Sequence, residues 1–323
     1  KPKVNEKIKI VYLWAEVTGY VASVLDALCE YNDVSIDVVH WNTSNLNSTF
    51  YQIDESRSTN YYKRSELTQG EILKLLQDKN PDIIVVSGWE DKGYIWACRR
   101  YKKLQPKTKI VAGIDDQWHG SLRQRLGQVY YKLFYRAVFD FMWVAGSEQF
   151  SFARAFGYHQ KNIILNLYAG TFSKNTQEHT HTKRFVFCGR LLHSKGIDLI
   201  VLAHKNLSEE LRAQWPLVII GSGDMHSFVE SNKDEYIQHI NFLQPKELLA
   251  ELGKGGVGVM PSRQEQWGVV IHEYTQFGMP LLLSNICGAA NELLISGFNG
   301  YKFNAGELES LSEGMKKYTT LSD

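Results

Sequence analysis

The segment that decides the fold is residues 185–199, FVFCGRLLHSKGIDL. The apolar run 185–188 predicts a buried strand, Gly189 opens a loop, and a helix is expected to start near Lys195. A glycine loop between a strand and a helix binds anions, because free N–H groups and the positive end of the helix point at one place. Arg190 and Lys195 add two cations, although either residue alone could be a solvated surface charge. The segment therefore predicts an anion-binding site.

Short β-branched runs recur on both sides of this segment, and each is followed by a longer stretch with helical periodicity. This alternation predicts mostly parallel sheets with helices on both faces. The predicted strands are 8–14, 35–41, 82–87, 109–114, 141–145, 162–167, 184–188, 217–221, 236–241, 256–260, 280–284 and 301–303. We expect an α/β protein with two doubly wound, Rossmann-like domains that face each other across a cleft.

Chain length and one polar segment predict the domain boundaries. A chain of 323 residues exceeds the usual single core. Residues 171–183, TFSKNTQEHTHTK, are polar and aperiodic, which predicts a linker between an N-terminal domain, 1–170, and a C-terminal domain, 184–323. A second polar segment, 42–64, predicts either a loop over the cleft or a surface insertion.

Composition excludes several classes of protein. Hydrophobic residues make up 44% and charged residues 22%, with a net charge of +1, which is ordinary for a globular enzyme and unlike a disordered or collagenous chain. The four cysteines form no CxxC pair, so a reducing, cytoplasmic setting is expected, without a disulfide framework. No apolar run approaches the roughly 18 residues of a membrane span.

A second segment with candidate functional residues is 261–273, PSRQEQWGVVIHE. It follows the predicted strand 256–260 and leads into a predicted helix. Glu265 falls in the loop and Glu273 falls on the helix, so both carboxylates can face the cleft. Two glutamates at this spacing usually occur by chance. They indicate a function here only because the first segment is also present.

Together the two segments resemble the retaining GT-B glycosyltransferases of group 1, also called family four. The family pattern is Gly-Arg-Leu, Lys-Gly and Asp, followed by Pro-Ser and two glutamates. The residues that match it here are Gly189, Arg190, Leu191, Lys195, Gly196, Asp198, Pro261, Ser262, Glu265 and Glu273. The likeness continues through Gly221, Gly223, Phe242, Leu243, Gly278, Pro280, Gly288, Glu292, Asn299 and Gly300.

The resemblance implies a role for each charged motif residue. Arg190 and Lys195 would bind the diphosphate of a nucleotide-sugar donor and stabilise its charge as it leaves. Glu273 would accept hydrogen bonds from the ribose, and Glu265 would hold the transferred sugar. Retention would arise if the acceptor hydroxyl attacks from the face of the departing phosphate, with Glu265 as a covalent nucleophile being the alternative.

Backbone groups and one apolar side chain complete the donor site that the resemblance implies. The loop at Gly189 and the backbone around Gly268 and Val269 would reach the phosphates and the sugar. The strand end near Leu243 would contact the base. The implied acceptor is a glycan or a lipid-linked molecule, and nucleic acid is not expected.

The resemblance implies that the C-terminal domain binds the nucleotide sugar and that the N-terminal domain is the acceptor-side domain. The first half of the chain resembles the family less closely. Gly19 is the glycine available for the turn after the first strand, where it could contact phosphate through its backbone or simply open a helix. Family members often carry a histidine after the fourth strand, where this chain has IDDQWHG at 114–120. The alternatives are that Asp115 replaces that histidine, that His119 has moved into its role, and that His119 is an ordinary loop residue.

The sequence contains no Asp-x-Asp pair of the kind that holds Mg²⁺ or Mn²⁺ against a diphosphate. We therefore expect metal-independent transfer without a cofactor, in which Arg, Lys and helix N-termini bind the phosphates. The remaining histidines lack spacings such as HExxH, and surface or core roles are expected for them. The alternatives to a transferase are a GT-B sugar-nucleotide epimerase and a catalytically degenerate nucleotide-sugar-binding protein.

Basic and aromatic residues concentrate in 121–141, SLRQRLGQVYYKLFYRAVFDF, and in nearby Arg99, Arg100, Lys102 and Lys103. Clusters of this composition bind anionic lipid surfaces. The segment predicts peripheral contact with an anionic membrane, at its inner face, or with a lipid-linked acceptor. The alternative is a helix whose apolar side faces the core and whose basic stripe is solvated.

Overall fold

A computed structural model describes residues 7–30, 33–41, 59–170 and 182–320. The chain forms two compact units, Lys1–Ala169 and Gly170–Asp323. The linker expected at 171–183 lies almost entirely outside the described residues. The predicted domain boundaries and the acceptor-side role of the first domain therefore stay predictions.

The described part of the first unit contains a parallel sheet with strand order β3-β2-β1-β4-β5-β6-β7. Its strands are β1 (Ile8–Trp14), β2 (Val34–His40), β3 (Asn60–Lys63), β4 (Ile83–Val86), β5 (Lys109–Ile114), β6 (Phe141–Val144) and β7 (Ile163–Ile164). Its helices are α1 (Gly19–Glu30), α2 (Gln69–Lys79), α3 (Lys92–Leu104), α4 (Leu122–Phe134) and α5 (Ser147–Ala155). The strand order reverses between β1 and β4, and sheets of this kind bind ligands at that reversal.

The second unit repeats this plan with strand order β10-β9-β8-β11-β12-β13. Its strands are β8 (Phe185–Cys188), β9 (Leu217–Ile220), β10 (Ile237–Ile240), β11 (Val257–Met260), β12 (Leu281–Ser284) and β13 (Gly300–Phe303). Its helices are α6 (Ile197–Lys205), α7 (Glu209–Gln214), α8 (His226–Asn232), α9 (Pro245–Leu252), α10 (Val270–Gln276), α11 (Ala290–Leu293) and α12 (Leu308–Thr319). The order reverses between β8 and β11, the strands that precede the two motif segments.

The strands pair in parallel, and the central ones are buried on both faces. Every side chain of β9, β11 and β12 is buried, as expected when helices cover both sides of a parallel sheet. The doubly wound α/β prediction is confirmed, and all twelve predicted strands are present. Most predicted ends differ by one or two residues, but the strand expected at 162–167 is reduced to Ile163–Ile164.

One strand and one helix start were predicted wrongly. The polar segment 42–64 was expected to be a loop or an insertion, but Asn60–Lys63 forms the edge strand β3. Hydrogen bonds from Asn60 and Tyr62 to the Asp37 carboxylate, 3.0 and 3.1 Å long, fix this polar strand against β2. Residues 42–58 lie outside the described part. The helix expected from Lys195 begins at Ile197, because a short 3-10 turn precedes it.

Candidate functional site

The loop after β8 rests directly on the loop after β9. A Cβ atom at Gly221 would lie 1.9 Å from the carbonyl oxygen of Gly189, and one at Gly223 would lie 2.6 Å from that of Leu191. The backbone N–H of Leu191 donates to the carbonyl of Ser222 at 2.9 Å. Residues 221 and 223 must therefore be glycines, and their backbone fixes the predicted phosphate loop.

The two motif segments contact each other at Gly196. Its φ of 72° is left-handed, and a Cβ there would lie 2.0 Å from the carbonyl oxygen of Pro261. Arg263 forms two 2.7 Å bonds to the Asp198 carboxylate, and its backbone N–H donates to Ser194 at 2.8 Å. Burial alone would raise the pKa of Asp198, but its hydrogen bonds with Arg263 hold the pKa below its ordinary value. Sequence reasoning gave Arg263 no role.

Lys195 and Glu265, assigned to different parts of the donor, form an ion pair. The Lys195 Nζ lies 2.5 Å from the Glu265 Oε2, and the Ser262 hydroxyl donates to the same oxygen at 3.3 Å. The two charged side chains are only 17% and 9% exposed. Any anion that binds Lys195 must therefore compete with Glu265.

Arg190 differs from Lys195 in its surroundings. Its side chain is exposed, and it makes no hydrogen bond or ion pair with the part of the chain that the structure describes. The planar guanidinium can bind two phosphate oxygens at once. Arg190 is therefore available to an incoming anion without first breaking a contact within those residues.

Helix α10 is fixed beneath the end of β8 by Tyr274. The Tyr274 hydroxyl accepts from the Cys188 N–H at 2.9 Å and donates to the Val186 carbonyl at 3.3 Å. Gly258 gives the ring its space, since a Cβ there would lie 2.4 Å from it. This anchor leaves Glu273, whose side chain is buried, beside Cys188. Burial, and then the charge of Glu273, raise the pKa of the Cys188 thiol.

The entry to α10 is a turn that requires glycine at position 268. Gly268 has a φ of 91°, and the N–H groups of Gly268 and Val269 donate to no acceptor among the described residues. The Trp267 indole donates to the His272 Nε2 at 2.9 Å, and burial lowers the pKa of His272. This bond needs a neutral His272 with a free lone pair at Nε2.

The end of β10 joins the same loop region. Leu243, expected near the base, is half-buried in the turn between β10 and α9. The neighbouring Phe242 N–H donates to the Ser222 hydroxyl at 3.3 Å. Ser222 also supports Leu191, so the predicted base and phosphate positions share one loop.

The first unit has its own cavity at the carboxyl ends of β1, β4 and β5. Asp115 lines this cavity of about 580 Å³, and its Oδ2 accepts from the Tyr168 hydroxyl at 3.0 Å. Asp116 lines it too, and desolvation, reinforced by the Asp115 charge, raises the pKa of Asp116. His119 is exposed and is not among the lining residues. Asp115 is thus the better placed of the two predicted polar residues.

Gly19 is the first residue of α1, and the next residue, Tyr20, lines the same cavity. This position suits both interpretations of Gly19, a helix entry and a backbone phosphate contact. The structure therefore gathers Gly189, Arg190, Lys195, Glu265, Gly268, Val269, Glu273 and Leu243 around the switch point of the second sheet. Gly19, Asp115 and His119 belong to the first unit.

Two open parallel sheets, each with helices between its strands, define a doubly wound α/β protein. Residues 170–322 match the family model "Glycosyl transferases group 1". The second unit is thus a group 1 glycosyltransferase domain, and the resemblance predicted from the motifs is confirmed.

Curated relatives match part of this chain. An uncharacterised glycosyltransferase of Methanocaldococcus jannaschii is 29% identical over 146 residues, which cover 44% of this chain and 36% of the relative. The O-antigen biosynthesis glycosyltransferase WclY of Escherichia coli is 31% identical over 105 residues, 31% of this chain and 28% of the relative. The chain thus spans about a third of the length of the curated relatives it matches.

Solved structures match nearly the whole chain. The lipopolysaccharide outer core galactosyltransferase WaaB has a TM-score of 0.70 at 14% identity, covering 97% of this chain and 90% of WaaB. Anabaena HepE, solved in complex with UDP and glucose, has a TM-score of 0.67 at 16% identity, covering 97% of this chain and 90% of HepE. These likenesses establish the GT-B fold.

Proposed function

We propose that the protein is a retaining, metal-independent glycosyltransferase that moves a sugar from a nucleotide-diphosphate sugar to a glycan or lipid-linked acceptor. The observation that carries this proposal is the gathering of the family motif at one switch point, with Arg190, Lys195 and Glu265 on adjoining loops. Support also comes from the named relatives, which include a galactosyltransferase and a protein solved with UDP and glucose. UDP-sugars are therefore the first donors to test.

The reaction breaks the bond between the anomeric carbon and a phosphate oxygen, so negative charge grows on the departing diphosphate. Arg190 and Lys195 lower the barrier if they bind this charge more strongly in the transition state than in the ground state. The acceptor hydroxyl attacks the anomeric carbon from the face that the phosphate leaves. Its proton passes to the departing phosphate oxygen, so no protein nucleophile is required.

The pair between Lys195 and Glu265 gives the donor a way to prepare its own site. A phosphate that binds Lys195 replaces the Glu265 carboxylate as the partner of the ammonium group. Glu265 can then accept hydrogen bonds from hydroxyls of the transferred sugar. Donor binding thus converts one ion pair into two contacts with the substrate.

Metal independence is supported by the cations that already surround the predicted diphosphate site and by the absence of an Asp-x-Asp pair from the sequence. We expect turnover to survive EDTA. Loss of activity in EDTA that is restored by Mg²⁺ or Mn²⁺ would contradict this part of the proposal.

Labelled nucleotide sugars, incubated with and without a crude lipid or oligosaccharide extract, test the class of reaction. A transferase consumes donor and labels a product only when an acceptor is present. An epimerase changes the donor without acceptor, and a degenerate binding protein binds the nucleotide without turnover. Retention is read from the anomeric configuration of the purified product by NMR.

The peripheral membrane contact rests on the orientation of α4. Its large apolar side chains point outward, each at least half exposed: Leu122, Leu126, Val129, Tyr130, Leu133 and Phe134. The side facing the first unit carries polar contacts from Gln124, Gln128 and Tyr131. The core-facing alternative therefore holds for the buried Tyr131 of α4 but not for the six exposed side chains.

Basic residues of α3 border the end of this apolar face. Arg99, Arg100 and Lys103 line a cavity of about 660 Å³ together with Phe134. Each Lys or Arg near an anionic bilayer contributes about 1 kcal/mol, and the apolar face adds burial in the interface. This combination favours an anionic membrane as the partner. None of the described helices has the length and apolarity required to span a bilayer.

Sedimentation with vesicles tests the membrane contact. We expect binding to anionic vesicles that weakens at high salt, and little binding to neutral ones. Leu126→Glu should reduce it, whereas Lys316→Ala on α12, which also lowers the net charge by one, serves as the control. Equal and negligible binding to both vesicle types would overturn the membrane proposal without touching the transferase proposal.

A further inference from the structure

Three potential metal ligands meet at the edge of the second sheet, outside the predicted catalytic residues. His226 is the first residue of α8, Glu230 lies one turn later on the same helix face, and His239 lies on β10. One ligand atom of each residue lies within 4.8 Å of the other two. The sequence spacing hides this cluster, because a helix and a neighbouring strand supply its members.

The buried member of the cluster, His239, has an unusual set of contacts. Its side chain is only 3% exposed, and its two ring nitrogens face oxygen atoms. Nε2 lies 2.9 Å from the carbonyl oxygen of Gly221, which can only accept, and Nδ1 lies 2.7 Å from the Glu230 Oε1. A neutral imidazole has one N–H group and cannot donate to both oxygens. A cation at Nδ1, either a proton or a metal ion, removes this conflict, and the His226 ring nitrogen within 4.8 Å offers a metal ion a further ligand.

The Glu230 carboxyl is suited to be that cation's ligand. Its Oε1 lies 2.7 Å from the His239 Nδ1. Lys233 contacts both carboxylate oxygens, Oε2 at 3.2 Å and Oε1 at 3.4 Å, so it is the cation that an arriving metal ion must displace.

We propose that His226, Glu230 and His239 bind one Zn²⁺ ion, with a water molecule in the fourth position. Two imidazoles and one carboxylate are a ligand set that Zn²⁺ prefers, whereas Mg²⁺ and Ca²⁺ prefer oxygen ligands alone. The Nε2–H of His239 donates to the Gly221 carbonyl, and such an outer hydrogen bond orients many metal-bound histidines. His226 and Glu230 are exposed and can turn toward the ion, while His239 is fixed.

The site would join α8 to β10 beside the predicted phosphate loop. Gly221, which accepts from His239, is the same residue whose Cα approaches the Gly189 carbonyl so closely that no Cβ fits. Zinc at this position therefore stabilises the second unit, and it lies outside the proposed transfer chemistry. The inference holds whether or not the protein transfers sugar.

The test uses the full chain, stripped with EDTA and then desalted, and titrated with ZnCl₂ against a chromophoric chelator. We expect one Zn²⁺ ion per chain at this site and a raised Tm, with no comparable effect of MgCl₂. His226→Ala should weaken binding at least about tenfold, since loss of even an outer-shell partner costs about 10–100-fold. The matched control His159→Ala, an exposed histidine of the first unit, should bind as the wild type does.

A second variant separates metal binding from folding. Lys233→Met removes a cation that competes for Glu230, so it should bind Zn²⁺ more tightly than the wild type, which a merely structural loss could not produce. Unchanged apo Tm values would show that His226→Ala and Lys233→Met are folded. Wild-type affinity in both His226→Ala and Glu230→Gln would overturn the proposal, as would loss of the ion only in a His179→Ala, His181→Ala double variant.

Discussion

In both units a strand at the switch point is followed by a helix, but the surroundings of the helix start differ. Close backbone contacts shape it in the second unit. After β8, Gly196 lies against the carbonyl of Pro261 and Gly221 lies against that of Gly189, with no space for a Cβ atom at either. After β1 the chain passes directly into α1 at Gly19, beside a cavity lined largely by aromatic and acidic side chains. A site shaped by backbone requires glycines at fixed positions, whereas a site shaped by side chains can vary. This difference explains why the glycine-containing motif of the second unit can be recognised in the sequence, whereas the cavity of the first unit cannot.

The largest expected effect comes from removing a cation of the second-unit loop. Arg190→Ala and Lys195→Ala should each lower kcat by about 10²–10³, the usual cost of one transition-state donor. Arg190→Lys should also be damaging, because lysine cannot bind two phosphate oxygens with a planar fork. Steady-state kinetics measures this, with exposed Lys316→Ala as the control.

The two cations should differ in stability as well as in activity. Arg190→Ala should leave the free energy of unfolding unchanged, because the side chain is exposed. Lys195→Ala should cost about 1.5–3 kcal/mol, because it removes a charged hydrogen bond from a Glu265 side chain that is 9% exposed. If the Arg190→Ala, Lys195→Ala double variant folds and still turns over at a near-normal rate, the proposed mechanism is contradicted.

The next effect separates the two glutamates. Glu273→Ala should weaken binding of both nucleoside diphosphate and complete donor by roughly 1.5–3 kcal/mol, the value of a hydrogen bond to a charged group. Glu265→Ala should lower kcat while leaving Lys195 free for the diphosphate, so nucleotide affinity should hold or rise. Calorimetry measures the UDP affinity of both variants. Equal losses of affinity in the two would show that the two glutamates do not have separate roles.

A third test addresses the backbone contacts themselves. Gly196→Ala should destabilise the protein by about 1–3 kcal/mol, because the new Cβ meets the Pro261 carbonyl and the left-handed φ is unfavourable. Gly127→Ala, within α4, meets no atom within 4 Å and should instead stabilise by about 0.5–1 kcal/mol. Urea unfolding measures both. A tolerated Gly196→Ala would mean that the loop can move away from Pro261.

Hydrophobic periodicity, a local signal, predicted twelve strands and the doubly wound α/β class, and the resemblance of the two motif segments to group 1 enzymes predicted the GT-B fold. These signals missed β3, whose Asn60 and Tyr62 are held by the distant Asp37. They also missed the bond between Arg263 and Asp198 and the pair between Lys195 and Glu265, since each joins residues more than 60 positions apart. Such contacts depend on which loops the sheet topology brings together.

The smallest expected effect concerns the first unit, where the sequence left Asp115 and His119 as alternatives. Asp115→Asn should keep the hydrogen bond from Tyr168 but remove the charge that lines the cavity. We expect a loss of about 0.5–1.5 kcal/mol in transition-state binding, comparable to one ordinary hydrogen bond. Asp115→Ala should cost more, because the Tyr168 hydroxyl then loses its acceptor.

His119→Ala should change the transition-state binding free energy, obtained from kcat/KM, by no more than about 0.5 kcal/mol. This is the usual effect of substituting an exposed side chain. The His119 backbone N–H, which donates to Gln124 at 2.8 Å, is retained in this variant, so the loop should keep its path. Kinetics with saturating donor and varied acceptor measures both variants under one condition. A larger loss in His119→Ala than in Asp115→Asn would reverse the assignment and make His119 the polar residue that meets the substrate.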